Sequence, residues 1–168
     1  MQRVTQSLHI SVPIPIDVPS KTIIHLLHDH ETLLSLQPLV VRTEKLPDKP
    51  DSAPDMERYS FTESIPILPF LGTWGYKEST STAELRDVET GVEGTAHAPA
   101  GIVVGVRWVV EEENAGEQEQ EAARAGRVLR EDLNVECAAM MMWFLKGQVE
   151  TSHREMCNRI ILKCQGKV

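Results

Sequence analysis

The chain has 168 residues, of which 41% are hydrophobic and 25% are charged, and its formal net charge is -8. This length suits one domain with a substantial core, so we expect a single domain over 1–168. The acidic balance argues against nucleic acid as a partner and against a polybasic membrane anchor, because both need a basic face. No stretch approaches the roughly 20 apolar residues that cross a bilayer, and the N-terminus lacks the apolar run of a signal peptide. We therefore expect a cytoplasmic protein without stable membrane insertion.

The first third of the chain predicts a strand, two short helices and a second strand. Apolar and polar residues alternate from Val4 to Ile14, which is typical of a half-buried strand. Ser20 suits the N-cap of the first helix and Asp29 the N-cap of the second. The predicted elements are a strand at 4–14, helices at 21–27 and 31–36, and a strand at 40–46.

The middle of the chain predicts five further strands. They cover 57–67, 74–88, 92–98, 102–110 and 128–137. The segment 47–55 is rich in proline and aspartate and the segment 111–126 is acidic, so we expect both to be exposed loops. Because no helices are regularly interleaved with these strands, we expect an antiparallel sheet of about seven strands and the α+β class.

The last predicted element is a long amphipathic helix from Met140 to Gln165. Its apolar stripe consists of Leu145, Val149, Met156, Ile160 and Cys164. No proline interrupts the run, and Gly166 suits the C-cap. At about 1.5 Å per residue the helix is nearly 40 Å long, so it has to lie along another element. We expect a curved sheet that grips this helix.

Several short motifs resemble a known superfamily. A strand leads into Ile14-Pro15, Pro19-Ser20-Lys21 opens a helix containing Leu26-Leu27, and Leu36-Gln37-Pro38 closes the second helix. With the order of elements, these motifs resemble the START-like, Bet v 1-like (SRPBCC, polyketide cyclase-type) helix-grip superfamily. Leu36 stands where such proteins usually carry tryptophan. The segments 69–74 and 98–101 are similar to those of an uncharacterised fungal branch.

The resemblance implies a deep, mostly apolar cavity between the sheet and the long helix, which binds a small hydrophobic molecule. A curved sheet cannot lie flush along a straight helix, so geometry also favours a void there. Nine residues are predicted to contact the ligand: Tyr59, Phe61, Trp74, Tyr76, Arg107, Trp108, Leu145, Val149 and Met156. The Met140–Phe144 segment is large and soft, and core packing is the simpler interpretation of it.

Three polar residues in apolar patterns are candidates for catalysis. His153 lies inside the apolar stripe of the long helix, where a neutral imidazole can act as general base or orient a ligand oxygen. Glu63 and Glu131 alternate with apolar residues on their strands, so burial would raise the pKa of each carboxyl group. The alternatives are a histidine at the edge of the stripe, and glutamates turned outward by a bulge or paired with an arginine such as Arg107.

His25, His28 and His30 form the only histidine cluster in the sequence. Zinc normally needs three or four ligands with supporting partners, so we expect a solvated helix face and no metal site. The odd number of cysteines, at 137, 157 and 164, predicts reduced thiols. The sequence contains no hydrolase signature, phosphate loop or CxxC motif, and we expect no cofactor.

Two functions remain open at the level of sequence. The first is a cofactor-free cyclase, dehydratase or isomerase that acts on a polyketide- or terpenoid-like intermediate of secondary metabolism. The second is a non-catalytic protein that binds or transfers a lipid or another hydrophobic ligand. A third, weaker hypothesis is protein binding through the acidic loop. A monomer and a homodimer are both compatible with the sequence.

Overall fold

The computed structural model describes residues 2–49, 53–66, 76–113 and 126–167. The strands are β1 (Arg3–Pro13), β2 (Val40–Leu46), β3 (Glu57–Pro66), β4 (Tyr76–Val88), β5 (Gly91–Ala98), β6 (Ile102–Glu113) and β7 (Gly126–Ala138). The α-helices are α1 (Ser20–His28), α2 (His30–Ser35) and α3 (Ala139–Cys164). These strands form one antiparallel sheet in the order β1-β7-β6-β5-β4-β3-β2. The predicted α+β helix-grip architecture is therefore confirmed.

Strand alternation gives the sheet one buried and one wetter face. Along β7, Leu129, Glu131 and Leu133 are fully buried. Asp132 and Asn134, which alternate with them along the strand, are accessible to solvent. The buried face carries the core, and α3 lies against β1, β7 and α1 on that side. A polar group at a buried strand position is therefore placed against the long helix.

The two short helices follow the prediction except at one cap. The Asp29 Oδ1 atom accepts a hydrogen bond from the backbone N–H of Thr32, which confirms Asp29 as the N-cap of α2. The predicted N-cap of α1 is wrong, because α1 begins at Ser20 itself and its N-cap, Pro19, makes no side-chain bond. Proline fixes the extended backbone that enters the helix, so the chain turns there without a hydroxyl cap.

The long helix ends in the manner expected for a glycine C-cap. Gly166 has φ +69°, its N–H bonds to the carbonyl of Lys163, and the next N–H bonds to the carbonyl of Leu162. This pair of bonds is a Schellman motif, in which glycine adopts the left-handed conformation without a Cβ clash. The helix therefore stops within one residue of the predicted end.

Two expectations for chain segments change. Met140 and Trp143 are 76% and 88% exposed, so core packing is wrong for these two residues. The acidic segment 111–126 is not wholly a loop, because Glu113 at the end of β6 pairs with Gly126 at the start of β7. The intervening residues 114–125, and residues 67–75 with the predicted start of β4, lie outside the described residues.

Within the described ranges, none of the helices is both long enough and apolar enough to span a membrane. The three cysteines are free thiols, with Cys137 and Cys157 buried and Cys164 partly buried. The cysteine prediction is therefore consistent with the structure.

Candidate functional site

A cavity of about 180 Å³ lies between the buried face of the sheet and α3. Its wall comes from α2 and the segment after it, from β3 to β6, and from residues 145–156 of α3. Most lining side chains are apolar, as expected for a small-molecule site. The polar lining residues are Gln37, Glu63, Ser79, Ser81, Gln148, Ser152 and His153.

Five of the nine residues that were predicted to contact a ligand line this cavity. They are Phe61, Trp108, Leu145, Val149 and Met156. Leu145 and Val149 are only partly buried, although they continue the stripe of the fully buried Ile160. This difference arises because Leu145 and Val149 line the cavity, whereas Ile160 packs in the core.

Two predicted contacts are wrong because their strand facing was misjudged. Arg107 lies on the outer face of β6, where Nη1 is 3.5 Å from Glu93 Oε2, so it pairs with neither Glu63 nor Glu131. Tyr76 is 48% exposed at the start of β4 and is not part of the cavity wall.

Two further predicted contacts have other outcomes. Tyr59 shares the inward face of β3 but lies beyond the end of the cavity, and its hydroxyl donates to Glu57 Oε2 at 2.7 Å. An error of one residue in strand facing places a side chain on the opposite face of the sheet. For Tyr59 the predicted face is correct, and only its position along the strand is wrong. Trp74 lies outside the described residues.

His153 is anchored on the cavity wall by a buried carboxylate. Its Nδ1–H donates to Glu131 Oε1 at 2.5 Å, and Glu131 is completely buried behind it on β7. The Cys157 thiol, one turn further along α3, donates to the other oxygen of Glu131 at 3.3 Å. The indole ring of Trp108 stacks on the imidazole, with ring centroids 6.3 Å apart. These contacts fix the ring and leave Nε2 as the nitrogen available to a molecule in the cavity.

Electrostatics make this histidine easier to protonate than usual. Burial opposes charging of the imidazole, but the adjacent Glu131 carboxylate, its hydrogen bond and the charge of Glu63 together raise the pKa of His153. This outcome differs from the neutral general base expected from sequence. Burial also raises the pKa of the Cys157 thiol, with Glu131 adding to the effect, so the sulfur keeps its hydrogen and can donate it.

Glu63 lies on the cavity wall and is held by Gln37. The Gln37 side-chain amide, just after α2, donates to Glu63 Oε1 at 3.1 Å. Burial raises the pKa of Glu63, and the charge of His153 partly opposes that rise. The two residues therefore sense each other electrostatically across the cavity, one from β3 and one from α3. Glu131 does not line the cavity, so it can act only through His153.

A buried histidine lies beyond the cavity, at the first position of α2. His30 is 4% exposed, with Nδ1 2.8 Å from Glu57 Oε2 and Nε2 2.9 Å from Asp87 Oδ1. The Nε2 atom of His28 lies 2.8 Å from the carbonyl oxygen of Gly91. The expected solvated helix face is therefore wrong for these two histidines, whereas His25 is exposed.

Sequence reasoning missed Gln37, Cys157 and the carboxylate partners of His30. A signal was present for Cys157, which lies four residues after His153 and therefore on the same face of a helix. No local signal pairs His30 with Asp87, which are 57 residues apart. Among the described residues, no group of three or more His, Cys, Asp or Glu side chains is arranged to hold a metal ion.

Solved structures with a similar fold include two aromatase/cyclases and Ara h 8.0201. The Zhui aromatase/cyclase from Streptomyces sp. R1128 is 12% identical, with a TM-score of 0.62 over 96% of this chain and 94% of that chain. Ara h 8.0201 is 14% identical, with a TM-score of 0.62 over 98% and 99% of the two chains. The two-domain StfQ ARO/CYC from the steffimycin pathway is 8% identical, with a TM-score of 0.66 over 97% of this chain and 51% of its own. At these identities the likeness establishes the helix-grip fold alone.

Sequence comparison gives the family. No curated protein matches the chain. A family model described as "Domain of unknown function (DUF7053)" matches residues 3–166, which is nearly the whole length. The chain therefore belongs to the DUF7053 family, and it has the helix-grip fold found in Bet v 1-like proteins and polyketide aromatase/cyclases.

Proposed function

We propose that this protein is a cofactor-free enzyme that moves protons on a compact hydrophobic molecule held in the cavity. The reaction class is that of a cyclase, dehydratase or isomerase. The observation that carries the proposal is the pairing of an acid with a base on opposite walls of one apolar cavity. His153 is anchored by Glu131 so that only Nε2 is available, and Glu63 is held by Gln37 through one oxygen. Pairs of groups with shifted pKa values suit acid and base roles.

The simplest reaction for this pair is the interconversion of a ketone and its enol. The Glu63 carboxylate takes a proton from the carbon next to the carbonyl, while the Nε2–H of the His153 imidazolium donates a proton to the carbonyl oxygen. The electron pair of the broken C–H bond forms the C=C bond of the enol. In the reverse direction the enol O–H returns its proton to Nε2 and Glu63 returns its proton to carbon, which restores both groups. Ring closure and loss of water both pass through such an enol when the substrate is a ketone.

The size of the cavity limits the substrate. An apolar cavity of about 150 Å³ binds benzene, so about 180 Å³ accommodates one substituted ring. Pockets for drug-sized ligands are usually about 300–1,000 Å³. This comparison supports a compact cyclic substrate over a long acyl chain. A polyketide- or terpenoid-like intermediate of that size fits the proposal, and the fungal, cytoplasmic and secondary-metabolic setting remains a prediction.

Non-catalytic binding of a hydrophobic molecule is the alternative. It is supported by the apolar character of most of the wall, including Val104, Val106, Ile102 and Leu145. A carrier needs no acid or base. A measurement of reactivity, rather than of affinity, therefore distinguishes the carrier hypothesis from the enzyme hypothesis. Native mass spectrometry of freshly purified protein, followed by extraction, identifies any retained molecule for either function.

Proton transfer is tested with cyclohexanone in D2O. Its α-hydrogens exchange for deuterium through the enol, and proton NMR follows their loss. We expect the parent protein to accelerate exchange, and His153→Gln and Glu63→Gln each to slow it by about 100-fold or to the background rate. Circular dichroism verifies that each variant is folded.

Matched controls come from the outer face of the sheet. His9→Gln alters an exposed histidine whose Nδ1 is 2.6 Å from Asp132, and Glu78→Gln alters an exposed carboxylate. Both controls should exchange cyclohexanone at the parent rate. Exchange at the parent rate in His153→Gln and Glu63→Gln, or no acceleration by the parent, would contradict the proposed chemistry.

A further inference from the structure

Ser81 is a buried hydroxyl on the cavity wall that lacks a partner. It lies on the inward face of β4, is 2% exposed and lines the cavity. In the described part of the chain its Oγ has no hydrogen-bond partner. On the outer face of the same strand pair, the Thr62 and Thr80 hydroxyls bond each other at 3.0 Å. Thr62, which is also buried, has its hydroxyl satisfied on the outer face, whereas the Ser81 hydroxyl on the inner face is not.

An unpaired buried hydroxyl is unfavourable, because it has lost water without gaining another partner. Alanine would avoid this cost, and alanine is already present two residues along the inward face, at Ala83. Trp108 Nε1 is also a buried donor without a hydrogen-bond partner, but it belongs to the indole ring that stacks on His153. Among the serines on the wall, Ser152 donates to the carbonyl of Val149 and Ser79 is partly exposed, so Ser81 is the buried hydroxyl whose donor is unused.

The space beside Ser81 suits a ring. Ala83 pairs directly with Ala96 on β5, and both short side chains line the cavity. Phe61 lies directly opposite Ser81 on β3 and presents an aromatic surface. Glu63 is opposite Ser79, the next inward residue of β4, so the Glu63 and Ser81 side chains are diagonal neighbours about 7–8 Å apart. That separation is within reach of two substituents on one ring.

We propose that the cavity recognises a compact cyclic molecule with two oxygen atoms, the first at the His153–Glu63 pair and the second accepting a hydrogen bond from Ser81. This inference rests on the proposed function for the first oxygen and adds the second one. It defines the substrate class as a dioxygenated ring, such as a cyclic diketone or a hydroxyketone. It also gives the unpaired hydroxyl a partner when the cavity is filled.

The test uses two probes of the same shape, 1,4-cyclohexanedione and 4-methylenecyclohexanone. The dione contains two ketones and the methylene analogue contains one, because CH2 replaces the second carbonyl oxygen. Affinities are measured by 1H–15N NMR titration of the parent, of Ser81→Ala and of Thr80→Ala. Thr80→Ala removes a hydroxyl from the outer face of the same strand and should bind both probes as the parent does.

We expect the parent to bind the dione about tenfold more tightly than the methylene analogue. Ser81→Ala should bind the two probes equally within about twofold, with its affinity for the methylene analogue unchanged. Its melting temperature in the absence of ligand should be no lower than that of the parent, because the variant removes an unsatisfied group. A tenfold preference retained by Ser81→Ala, no preference in the parent, or no binding of either probe would overturn the inference.

The same samples separate this inference from the proposed function. Exchange of the ketone α-hydrogens in D2O reports on His153 and Glu63, whereas the ratio of the two affinities reports on Ser81. If the protein accelerates exchange but shows no Ser81-dependent preference for the dione, the proposed function stands and the binding site for the second oxygen at Ser81 (the second-oxygen site) is ruled out. A Ser81-dependent preference without exchange retains the second-oxygen site and removes the catalytic proposal.

Discussion

Two largely buried histidines of this protein pair with carboxylates, and they differ in how many ring nitrogens the protein uses. His30 has a carboxylate oxygen within 2.9 Å of each nitrogen, from Glu57 on β3 and Asp87 on β4. Both contacts are hydrogen bonds only when both nitrogens carry hydrogens. His153 has Glu131 on Nδ1 and, among the described residues, no hydrogen-bond partner on Nε2. The first histidine is fully used by the fold, and the second keeps one nitrogen for a molecule in the cavity.

This comparison shows that burial and a carboxylate partner do not by themselves identify a catalytic histidine. His30 is more buried than His153, and the pKa of its partner Glu57 is lowered to about 2, chiefly by the hydrogen bond from Lys45. A large pKa shift at Glu57 therefore belongs to a structural cluster that joins α2 to the sheet. What distinguishes His153 is the free nitrogen, together with the cavity beside it and Glu63 on the facing wall.

The largest expected effect comes from removing the charge behind His153. Glu131→Gln retains an acceptor for Nδ1–H but removes the charge that raises the pKa of His153, so that pKa should fall. A smaller fraction of the imidazole is then protonated at pH 7, and exchange of cyclohexanone α-hydrogens should slow by about 100-fold. Proton NMR in D2O measures the rate.

The matched variant is Glu57→Gln in the His30 cluster. It removes the corresponding carboxylate charge from a histidine that does not reach the cavity. Its exchange rate at pH 7 should equal that of the parent. Equal rates for Glu131→Gln and the parent would remove the functional difference between the two histidines.

The second effect is on stability and belongs to His30. His30→Gln replaces the two ring nitrogens that bond Glu57 and Asp87 with a single amide nitrogen, so the free energy of unfolding should fall by about 2 kcal/mol. The estimate is modest because the side chains of Glu57 and Asp87 are 40% and 51% exposed and regain water. Urea denaturation followed by circular dichroism measures the change.

His25→Gln is the control for this variant, because His25 is exposed on α1. Its free energy of unfolding should stay within about 0.5 kcal/mol of the parent value. A loss of less than about 0.5 kcal/mol in His30→Gln would show that the cluster does not hold α2 to the sheet.

The third prediction concerns pH and uses both walls of the cavity. Glu63 has to be ionised to accept a proton, so the rate should rise as pH increases through its raised pKa. His153 has to be protonated to donate, so the rate should fall as pH rises through its own pKa, which is above the ordinary value of 6.5. The two limbs give a bell-shaped profile of exchange rate against pH. A rate that still increases at the highest pH would mean that His153 acts as a base.

The same titration changes stability in a defined direction. Because the folded-state pKa of His153 is raised, its contribution to stability is fully present below about pH 6.5 and is lost as pH rises through the folded-state value. His153→Gln should remove that slope from a plot of unfolding free energy against pH, and the outer-face variant His9→Gln provides the comparison. If the pH dependence of the unfolding free energy is unchanged in His153→Gln, it arises from another titrating group.

The smallest effect is expected at Cys157, which supports Glu131. Cys157→Ala removes the donor to Glu131 Oε2 and should reduce the free energy of unfolding by about 1 kcal/mol. Cys157→Ser keeps a donor at this position and should lose less. Thermal denaturation of the two variants measures the difference, and a serine variant that is less stable than the alanine variant would contradict this role.

The sequence predicts the fold well because the fold depends on patterns with a fixed period. Alternation located the strands, and the stripe from Leu145 to Cys164 located α3 to within one residue. The inward facing of Glu63 and Glu131 follows from the same alternation. Local signals therefore define which elements form and which side of each element is buried.

The site is less predictable, because it depends on where separate elements meet. Arg107 lies one residue from Trp108, and that single step moves it to the opposite face of the sheet. Tyr59 has the correct facing but lies too far along β3. The partners of His30 are distant in sequence, and the unpaired state of Ser81 appears only when the surrounding atoms are placed.

The central claim is that Glu131 holds Nδ1 of His153 and leaves Nε2 for the cavity. Long-range 1H–15N NMR of the imidazole nitrogens tests it most directly, with the parent and Glu131→Gln titrated in parallel. We predict that Nδ1 of His153 stays protonated throughout the titration, that Nε2 titrates with a pKa above 6.5, and that this pKa falls in Glu131→Gln. A hydrogen on Nε2 of the neutral ring, or the same pKa in both proteins, would contradict the account.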